Sequence, residues 1–592
     1  MRKQTKLVAV LSTAALLAIG ASMTSFAATG WAEEDGTWVY YNRDGERATD
    51  QWKKSGNNWY WLDSDGEMAI DQLIEDGDNY YYVDINGVMA ANQWVAIDNE
   101  DAGEDNEPDH YWYYFQANGK ALKNGNNSNV ALKTINGKKY AFDEEGKMLY
   151  GWVDETNAER IDDTDGDAFR DGTYYFGGED DGAMTVGWLQ MDITYDEATN
   201  DYEVAPVFND DEDQTRWFYF QSNGKKVYAK DGDTQKSKTI NGKKYEFDQY
   251  GAMTAEWSLD VDSASKNGVR GGNSTSATNS VAAKYATEWR YFNNVEDGSR
   301  VSKGWFKVVA AEYLNYDKYN DDEDAWYYAD GSGNLYAGQF KTIKGKKYGF
   351  RNDGRMLNGL KFIIEDKDSN GKVSGLTVYD DDGDIPFDEE DRFDENAPKL
   401  ESLGAKCYYF GDGDDGVMRT NKTTIDIGGE NFNFYFEKSG GNKGAGVTGE
   451  KDDKFYQSGK LIRAGSDEKY QVVRRGGKTD KYNYTKLDDV DAFIRALNDT
   501  KYNVDSKVTK ENIEALGLNK KVDDIKEIYV ITYDETDKNG KTITKSGTVS
   551  DHLFLVNTSG KVIDSKSKSK DGNDYQYVVA KGGSILGVYV EN

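Results

Sequence analysis

An aromatic phrase recurs about every twenty residues near the N-terminus, and it limits what this chain can fold into. Each copy has a Gly-Trp or Gln-Trp pair, a polar turn, an aromatic triplet and an Asp/Asn-x-x-Gly turn, often followed by Met. The copies run from Gly30 to Trp94 as GWAEEDGTWVYYNRDGERATD, QWKKSGNNWYWLDSDGEMAID and QLIEDGDNYYYVDINGVMAAN. Aromatic strand formers bounded by DG and NG turns predict β-hairpins.

The alternation of side chains along a strand assigns the aromatic residues to two faces. Trp59 and Trp61 are expected on one face of their strand and Tyr60 on the other. One hairpin is only marginally stable, but stacked copies bury an aromatic row between neighbours. We therefore predict an all-β hairpin β-solenoid in which each unit contacts mainly the next. Tyr60, Tyr81 and Tyr114 are expected to pack in its core.

A longer period begins near residue 93. Aromatic strands start at Trp112, Trp217, Trp326 and Phe434, which lie 105, 109 and 108 residues apart, and three near-identical KTI.GKKY segments accompany them. We predict compact repeats over residues 29–95 and superrepeats over 96–462. Acidic inserts such as DNEDAGEDNEPDH and NYDKYNDDEDA lack helical periodicity and are expected to be solvated hairpin loops.

The aromatic rhythm fades in the C-terminal part, where residues 463–592 predict a small α+β domain. KLDDVDAFIRALN and VTKENIEALGLN predict two helices, with Thr509 as an N-cap and Gly517 as a stop, and alternating strands follow. This part shows no glycine-rich phosphate loop, nucleophile elbow or Cys/His pair. We therefore predict that the chain is not an enzyme, although carboxylate-pair glycosidases leave weak sequence signals.

The charge and the rare residue types exclude several functions. With 72 basic and 106 acidic residues, the net charge of −34 disfavours nucleic acid as a partner. The single cysteine, Cys407, excludes an intrachain disulfide and a cysteine-rich metal site. His110 and His552 lie far apart in the sequence, which leaves little material for a histidine-based zinc site or triad.

The first 28 residues are typical of a secretory signal peptide. Basic MRKQTK precedes apolar LVAVLSTAALLAIGA, and small residues surround Ala27 and Ala28. No later apolar run has membrane length, so no membrane span is expected after cleavage. The chain is therefore predicted to be exported and held at the cell surface non-covalently.

One acidic segment suggests a metal site. In DKDSNGKV, Asp366, Asp368 and Asn370 match the opening of an EF-hand-like calcium loop. However, the twelfth position is Thr377 and not a bidentate Glu, and no helices are predicted beside the segment. Calcium at these three residues and an ordinary acidic turn both stay open; no other cofactor is expected.

The pattern Gly-Trp, turn, Trp-Tyr-Tyr, Asp-x-x-Gly-x-Met resembles the choline-binding, cell-wall-binding repeat family, most specifically over residues 30–94. The TINGKKY.F units are more similar to repeats of clostridial toxins and glucan-binding proteins. The resemblance covers roughly residues 30–462 and implies a left-handed hairpin solenoid with ligand sites between consecutive hairpins. In choline-binding members, aromatic walls enclose the trimethylammonium group.

Carried onto this chain, the resemblance implies binding walls from neighbouring units. Trp31, Trp38 and Tyr40 of the first unit would face Trp52, Trp59 and Trp61 of the second. Tyr80 and Tyr82 would complete the next site, with Met68 and Met89 lining the floors. A quaternary ammonium cannot donate a hydrogen bond, so its recognition depends on aromatic faces, each contact contributing roughly 0.5–2 kcal/mol.

The resemblance implies a secreted surface protein of a Gram-positive bacterium that binds choline-substituted teichoic acid or another wall polysaccharide. The GKKY units place Lys139, Lys244 and Lys347 where the second Trp would stand, which puts choline in doubt for residues 132–360. Two alternatives stay open. One is an adhesin that binds a glucan or a host glycan, and the other is a wall hydrolase with its active site in the C-terminal domain.

Overall fold

Paired antiparallel strands dominate the described part of the chain, as the aromatic triplets predict. A computed structural model describes residues 29–104, 107–125, 128–193, 214–230, 235–259, 289–311, 314–476, 483–498, 502–549 and 552–592. The predicted signal peptide lies outside these residues. The prediction of a mostly β protein built from small hairpin sheets is confirmed. The finer predictions, a continuous solenoid and a separate C-terminal α+β domain, stay predictions.

The chain divides into two compact units. The first contains residues 1–198, 210–229 and 247–252, and the second contains 199–209, 230–246 and 253–592. The strands of the first unit pair in order as two-stranded antiparallel sheets. They are β1 (Gly30–Glu34), β2 (Thr37–Tyr41), β3 (Gln51–Ser55), β4 (Asn58–Leu62), β5 (Gln72–Asp76), β6 (Asn79–Val83), β7 (Gln93–Asp98), β8 (His110–Phe115), β9 (Lys133–Ile135), β10 (Lys138–Tyr140), β11 (Trp152–Val153), β12 (Tyr174–Tyr175), β13 (Gly187–Ile193) and β14 (Gln214–Phe220).

The second unit begins with similar hairpins and continues into larger sheets. The hairpin strands and those of the following sheets are β15 (Lys236–Ile240), β16 (Lys243–Phe247), β17 (Glu256–Leu259), β18 (Trp289–Phe292), β19 (Gly304–Val309), β20 (Asp324–Ala329), β21 (Gln339–Ile343), β22 (Lys346–Phe350), β23 (Leu360–Lys367), β24 (Val373–Tyr379), β25 (Lys406–Tyr409), β26 (Asn421–Ile427), β27 (Glu430–Phe436), β28 (Gly449–Lys451), β29 (Lys454–Gln457) and β30 (Lys460–Leu461).

The C-terminal strands are β31 (Tyr470–Arg475), β32 (Tyr484–Leu487), β33 (Tyr502–Asp505), β34 (Ile525–Thr536), β35 (Thr542–Ser546), β36 (Leu553–Asn557), β37 (Ser567–Lys570), β38 (Gln576–Val579) and β39 (Ile585–Glu591). They form a three-stranded sheet in the order β32-β31-β36 and a six-stranded sheet in the order β33-β34-β39-β38-β37, with β35 on β34. The helices of the described residues are α1 (Tyr316–Asn320), α2 (Glu390–Ser402), α3 (Val490–Asn498) and α4 (Lys510–Ala515), with a 3-10 turn at Val522–Asp524.

The two predicted C-terminal helices are confirmed as α3 and α4. Thr509 caps α4, because its hydroxyl accepts the Asn512 N–H at 3.2 Å. Two acidic inserts, in contrast, are not loops throughout: α1 lies in NYDKYNDDEDA, and α2 lies between β24 and β25. The prediction that the inserts lack helix is wrong at these places. Phe393, Ala397 and Leu400 of α2 are buried, so tertiary packing stabilises this helix. The acidic composition of the segment gave no indication of a helix in the sequence.

The Asp-x-x-Gly turn has a defined hydrogen-bond pattern that explains its sequence. Asp63 Oδ1 accepts the N–H groups of Asp65 at 2.9 Å and Glu67 at 2.8 Å. The Gly66 N–H donates to the Asp63 carbonyl at 3.0 Å, and Gly66 has a φ of 74°. A glycine adopts this left-handed conformation without steric cost. The turn therefore requires both the acceptor and the glycine.

The residue two positions after this glycine joins neighbouring hairpins. The Met68 N–H donates to the Trp38 carbonyl at 2.8 Å, and the Met89 N–H donates to the Trp59 carbonyl at 2.9 Å. The hairpins of the first unit are thus connected one to the next by backbone hydrogen bonds. Equivalent bonds join Ala121 to Tyr80, Met148 to Trp112, Met184 to Lys139 and Lys226 to Thr173.

Candidate ligand-binding site

The first three hairpins place their aromatic side chains in cross-strand pairs. Trp31 lies opposite Tyr40, Trp52 opposite Trp61 and Leu73 opposite Tyr82. Opposed residues of antiparallel strands share a face, so each pair forms one aromatic patch. The Trp31 and Tyr40 rings are 5.4 Å apart, and the Trp52 and Trp61 rings are 5.3 Å apart, both edge to face.

Ring contacts between hairpins follow one rule. The tryptophan of each first strand packs on the central ring of the next hairpin: Trp31 lies 5.3 Å from Tyr60, and Trp52 lies 5.0 Å from Tyr81. Tyr60 and Tyr81 are buried, which confirms them as core. The expectation for Tyr114 is wrong. Hairpin register makes Tyr113 the equivalent of Tyr60, and Tyr113 is buried while Tyr114 is half-buried.

Exposure separates the predicted wall residues into three groups. Trp59 is the most open, with 40% of its surface exposed, whereas Trp61 is 9% exposed. An exposed indole can contact a ligand directly, while a buried one mainly shapes the patch around it. The remaining predicted residues are half-buried: Trp31, Trp38, Tyr40, Trp52, Met68, Tyr80, Tyr82 and Met89.

Lysines of the chain lie over three of the predicted wall rings. The Lys53 ammonium is 4.9 Å from the Tyr40 ring centroid and donates to Asn42 Oδ1 at 2.7 Å. Similar contacts place Lys54 5.8 Å from the Trp59 ring and Lys123 5.7 Å from the Tyr80 ring. These rings can therefore accept a cation at their faces. The sequence reasoning missed these lysines, although the QWKKS strand carries two of them.

Hydrogen bonds fix the edges of the patches. The Trp52 indole N–H donates to Asp76 Oδ2 at 3.2 Å, and the Tyr82 hydroxyl donates to Asp71. Burial, reinforced by Asp71, raises the pKa of Tyr82 well above its usual range, so its hydroxyl stays protonated. Acidic groups at the patch edges also favour a positively charged ligand over an anion.

Met68 and Met89 pack against the turn of the following hairpin. A Cβ on Gly87 would lie 2.9 Å from Met68 Sδ, and Gly119 occupies the same position over Met89. The methionine thus fills the space that the missing glycine side chain leaves. Their predicted role as ligand-site floors stays a prediction, as do the wall roles of the aromatic residues.

The predicted calcium residues lie in a tight hairpin. Asp368 Oδ1 accepts the N–H groups of Asn370 and Lys372, both at 2.9 Å, in the turn between β23 and β24. Asp366 accepts the Thr377 hydroxyl across the strands at 3.0 Å. Within the described ranges, no group of three His, Cys, Asp or Glu side chains is arranged to hold a metal ion. Calcium at this hairpin stays a prediction.

A family comparison assigns the N-terminal hairpins. The choline-binding repeat model matches residues 28–69 and 48–94. This stretch is similar to choline-binding repeats. The resemblance noted from the aromatic pattern is therefore confirmed in the region where it is most specific, and it covers the open patches built around Trp31, Trp52 and Trp59.

Comparisons with individual proteins extend over more of the chain at low identity. Glucosyltransferase-S of Streptococcus mutans is 24% identical over 280 residues, which are 42% of this chain and 16% of that protein. The chain thus matches about a sixth of the length of this curated relative. Among solved structures, choline-binding protein F of Streptococcus pneumoniae is 17% identical with a TM-score of 0.20, covering 73% of this chain and 98% of that one.

A further comparison corrects one prediction. The modular autolysin LytC of Streptococcus pneumoniae, solved with a synthetic peptidoglycan ligand, is 20% identical with a TM-score of 0.29, covering 64% of this chain and 66% of that one. LytC is an enzyme, and the match lies in its choline-binding region. The prediction that this chain is not an enzyme, which was drawn from the missing catalytic motifs of residues 463–592, is therefore wrong: a protein with a similar choline-binding region is an enzyme.

The described helices add one finding about membranes. In the parts of the chain that the structure covers, each helix is too short or too polar to cross a bilayer.

Proposed function

We propose that this protein binds choline-substituted wall polymers, such as teichoic acid, through the hairpins of residues 30–94 and is thereby held at the outer surface of the cell wall. The family match over residues 28–94 carries this proposal. The open face of Trp59 and the half-buried rings of Trp31, Trp38 and Tyr40 supply the aromatic surface that a trimethylammonium group requires.

The affinity of one such patch is expected to be low. A few cation–π contacts give a dissociation constant around millimolar, or about −4 kcal/mol. Several patches that engage one decorated polymer would bind much more tightly, because the later contacts form at high effective concentration. Repetition of the hairpin therefore supports retention on a polymer more than it supports capture of free choline.

The later hairpins differ in a way that concentrates choline binding at the N-terminus. The Met184 N–H donates to the Lys139 carbonyl just as the Met89 N–H donates to that of Trp59, so Lys139 stands at the Trp59 position. Lys244 holds the same position relative to Arg300, and Lys347 relative to Met418. An ammonium group at this position repels a choline cation.

A choline titration of the full chain tests the proposal. Tryptophan fluorescence should change saturably with choline, and Trp59→Ala should weaken binding at least about 5-fold, because one cation–π contact is lost. Tyr319→Ala, an exposed aromatic substitution in α1, is the control and should leave the titration unchanged. A folded wild-type chain that gives no saturable response to choline would remove this function.

A further inference from the structure

Two adjoining cavities lie in the first unit. One has a volume of about 650 Å³ and is lined by Tyr80, Asn157 and a run of acidic residues that includes Glu144. The other has a volume of about 200 Å³ and is lined by Tyr111 and Tyr150. Asp143 and Glu159 line both cavities. We call the combined surface the insert groove. Its larger part lies within the ~300–1,000 Å³ range of small-molecule sites.

The walls of the insert groove come from four successive hairpins. Tyr80 lies in β6, Tyr111 lies in β8, and Asp143 begins the turn after β10. Asn157 and Glu159 belong to the long insert between β11 and β12, DETNAERIDDTDGDAFRD. This insert was expected to be a solvated loop. In the structure it forms one side of a cavity.

The rings of the insert groove present hydroxyl-tipped, partly apolar surfaces. The Lys147 ammonium lies 4.3 Å from the Tyr111 ring centroid, and the Arg160 guanidinium lies 4.2 Å from that of Tyr150. These contacts place a cationic side chain beside each ring. Tyrosine rings of this kind suit a ligand whose surface is also partly apolar and partly hydroxylated.

Carboxylates and amides occupy the space between the rings. Asn157 donates to Glu159 Oε2 at 3.1 Å, and Asp143 Oδ1 accepts the N–H of Lys147 at 2.8 Å. A carboxylate has several acceptor positions, and an amide both donates and accepts. Such groups match a ligand rich in hydroxyls, which supplies donors and acceptors together, and hydrogen bonds to a carboxylate are the stronger kind.

The charge and polarity of the insert groove disfavour polyanions and purely apolar ligands. Five carboxylates, from Glu107, Asp143, Glu144, Glu145 and Glu159, line it against three cationic side chains, from Lys123, Lys147 and Arg160. The excess of negative charge repels polyanions such as a phosphate polymer. The polar lining gives little burial to a purely apolar ligand. We propose that the insert groove binds a neutral oligosaccharide, as a second site that shares Tyr80 with the hairpins proposed to bind choline.

Calorimetric titration of the full chain tests this proposal with two probes. Hexasaccharides of glucose and of N-acetylglucosamine distinguish the two common sources of a neutral glycan, and at least one should bind saturably. Glu159→Gln and Tyr150→Ala should each weaken that binding at least about 5-fold. Glu100→Gln removes an exposed carboxylate that does not line the groove and should have no effect.

Three results would overturn the proposal. The first is that neither hexasaccharide binds the folded chain. The second is that binding persists unchanged in both Glu159→Gln and Tyr150→Ala. The third is that a teichoic acid phosphate polymer without choline binds the chain and loses this binding in Glu159→Gln. Choline titration of the same two variants should match wild type. This separates failure at the groove from failure at the hairpins of residues 30–94.

Discussion

Two regions of the first unit have the same hairpin backbone but differ in how far their aromatic patches are exposed. The hairpins of residues 30–83 have short turns, and their aromatic patches are partly exposed, most of all at Trp59. The hairpin of Trp152 and Tyr175 carries the long insert, and its aromatic patch is closed. The bridging hydrogen bond is nearly identical in both: Met89 N–H to the Trp59 carbonyl at 2.9 Å, and Lys226 N–H to the Thr173 carbonyl at 2.8 Å.

The closed patch contains a cation from the chain itself. Lys226 occupies the position of Met68 and Met89, and its ammonium lies 5.0 Å from the Trp152 ring centroid and donates to the Phe169 carbonyl of the insert. Lys226 is only 3% exposed. Burial lowers its pKa to about 7, and Asp248 and Asp171 oppose that shift.

The difference between the two regions shows which contacts are constant in the repeat and which vary. Hydrogen bonds, turns and the edge-on packing of the first-strand Trp recur in both regions, so they belong to the scaffold. The cation beside the aromatic patch changes, from the exposed Lys54 near Trp59 to the buried Lys226 beside Trp152. Choline is therefore expected to bind where the aromatic patch is exposed, and not where a buried lysine fills it.

The largest expected effect comes from the same substitution in the two regions. Trp152→Ala should destabilise the chain by about 3–5 kcal/mol, because Trp152 is 2% exposed and packs on Phe218 at 5.5 Å. Trp59→Ala should cost about 0.5 kcal/mol or less, because its indole is open. Chemical denaturation of both variants measures the difference. Equal losses of stability would mean that the two patches serve the same structural role.

A second comparison tests the contact between methionine and glycine. Gly87→Ala should destabilise by about 2–4 kcal/mol, since its φ of 72° opposes a side chain and the new Cβ would lie 2.9 Å from Met68 Sδ. Gly56→Ala is the matched control: its φ is 59°, and the space around its Cβ is open to 4 Å. Only the backbone cost of about 1–2 kcal/mol is expected there. Thermal unfolding measures the stability of both variants. Equal losses of stability in Gly87→Ala and Gly56→Ala would contradict the packing role of Met68.

Local patterns predicted much of the scaffold. Strand alternation and turn residues fix the hairpins, and the Thr509 cap follows from short-range chemistry. The same turn recurs late, where Asn557 Oδ1 accepts the N–H groups of Ser559 and Lys561 at 3.0 Å. The phrase VNTSGKV carried this signal inside the predicted C-terminal domain. It was missed because no aromatic triplet precedes it.

Long-range packing explains what the sequence could not show. Phe169 is buried within an insert that is otherwise acidic and was expected to be solvated. Its burial depends on Phe218, forty-nine positions later in the chain, at 6.0 Å. The same limit applies to the candidate sites. Spacing grouped Trp31 with Trp52 and Trp59, but only the register of the folded hairpins shows that Trp31 contacts Tyr60.

A third test uses pH. Burial raises the pKa of Asp143, in the insert groove, to about 6. The folded state therefore favours the protonated carboxyl, and this contribution is present below about pH 4 and lost as the pH rises through 6. Asp143→Asn should gain about 1–2 kcal/mol of stability relative to wild type between pH 4 and 6, allowing for partial exposure. Asp84→Asn controls for the turn hydrogen bonds. If the stability difference between Asp143→Asn and wild type is constant from pH 4 to 6, the raised pKa of Asp143 would be refuted.

The smallest expected effect concerns the two contacts between consecutive hairpins in residues 30–83, the first with the second and the second with the third. Lys53, whose ammonium lies over the Tyr40 ring, stands opposite Tyr60, and the next hairpin has Ile74 opposite Tyr81. Lys53→Ile makes the first interface resemble the second and removes a competing cation. Choline should then bind about 2–5-fold more tightly, which corresponds to about 0.5–1 kcal/mol. Lys510→Ile, which removes an exposed charge in α4, controls for net charge. Weaker binding by Lys53→Ile would mean that Lys53 supports the ligand, and the idea that internal cations compete for these rings would then be wrong.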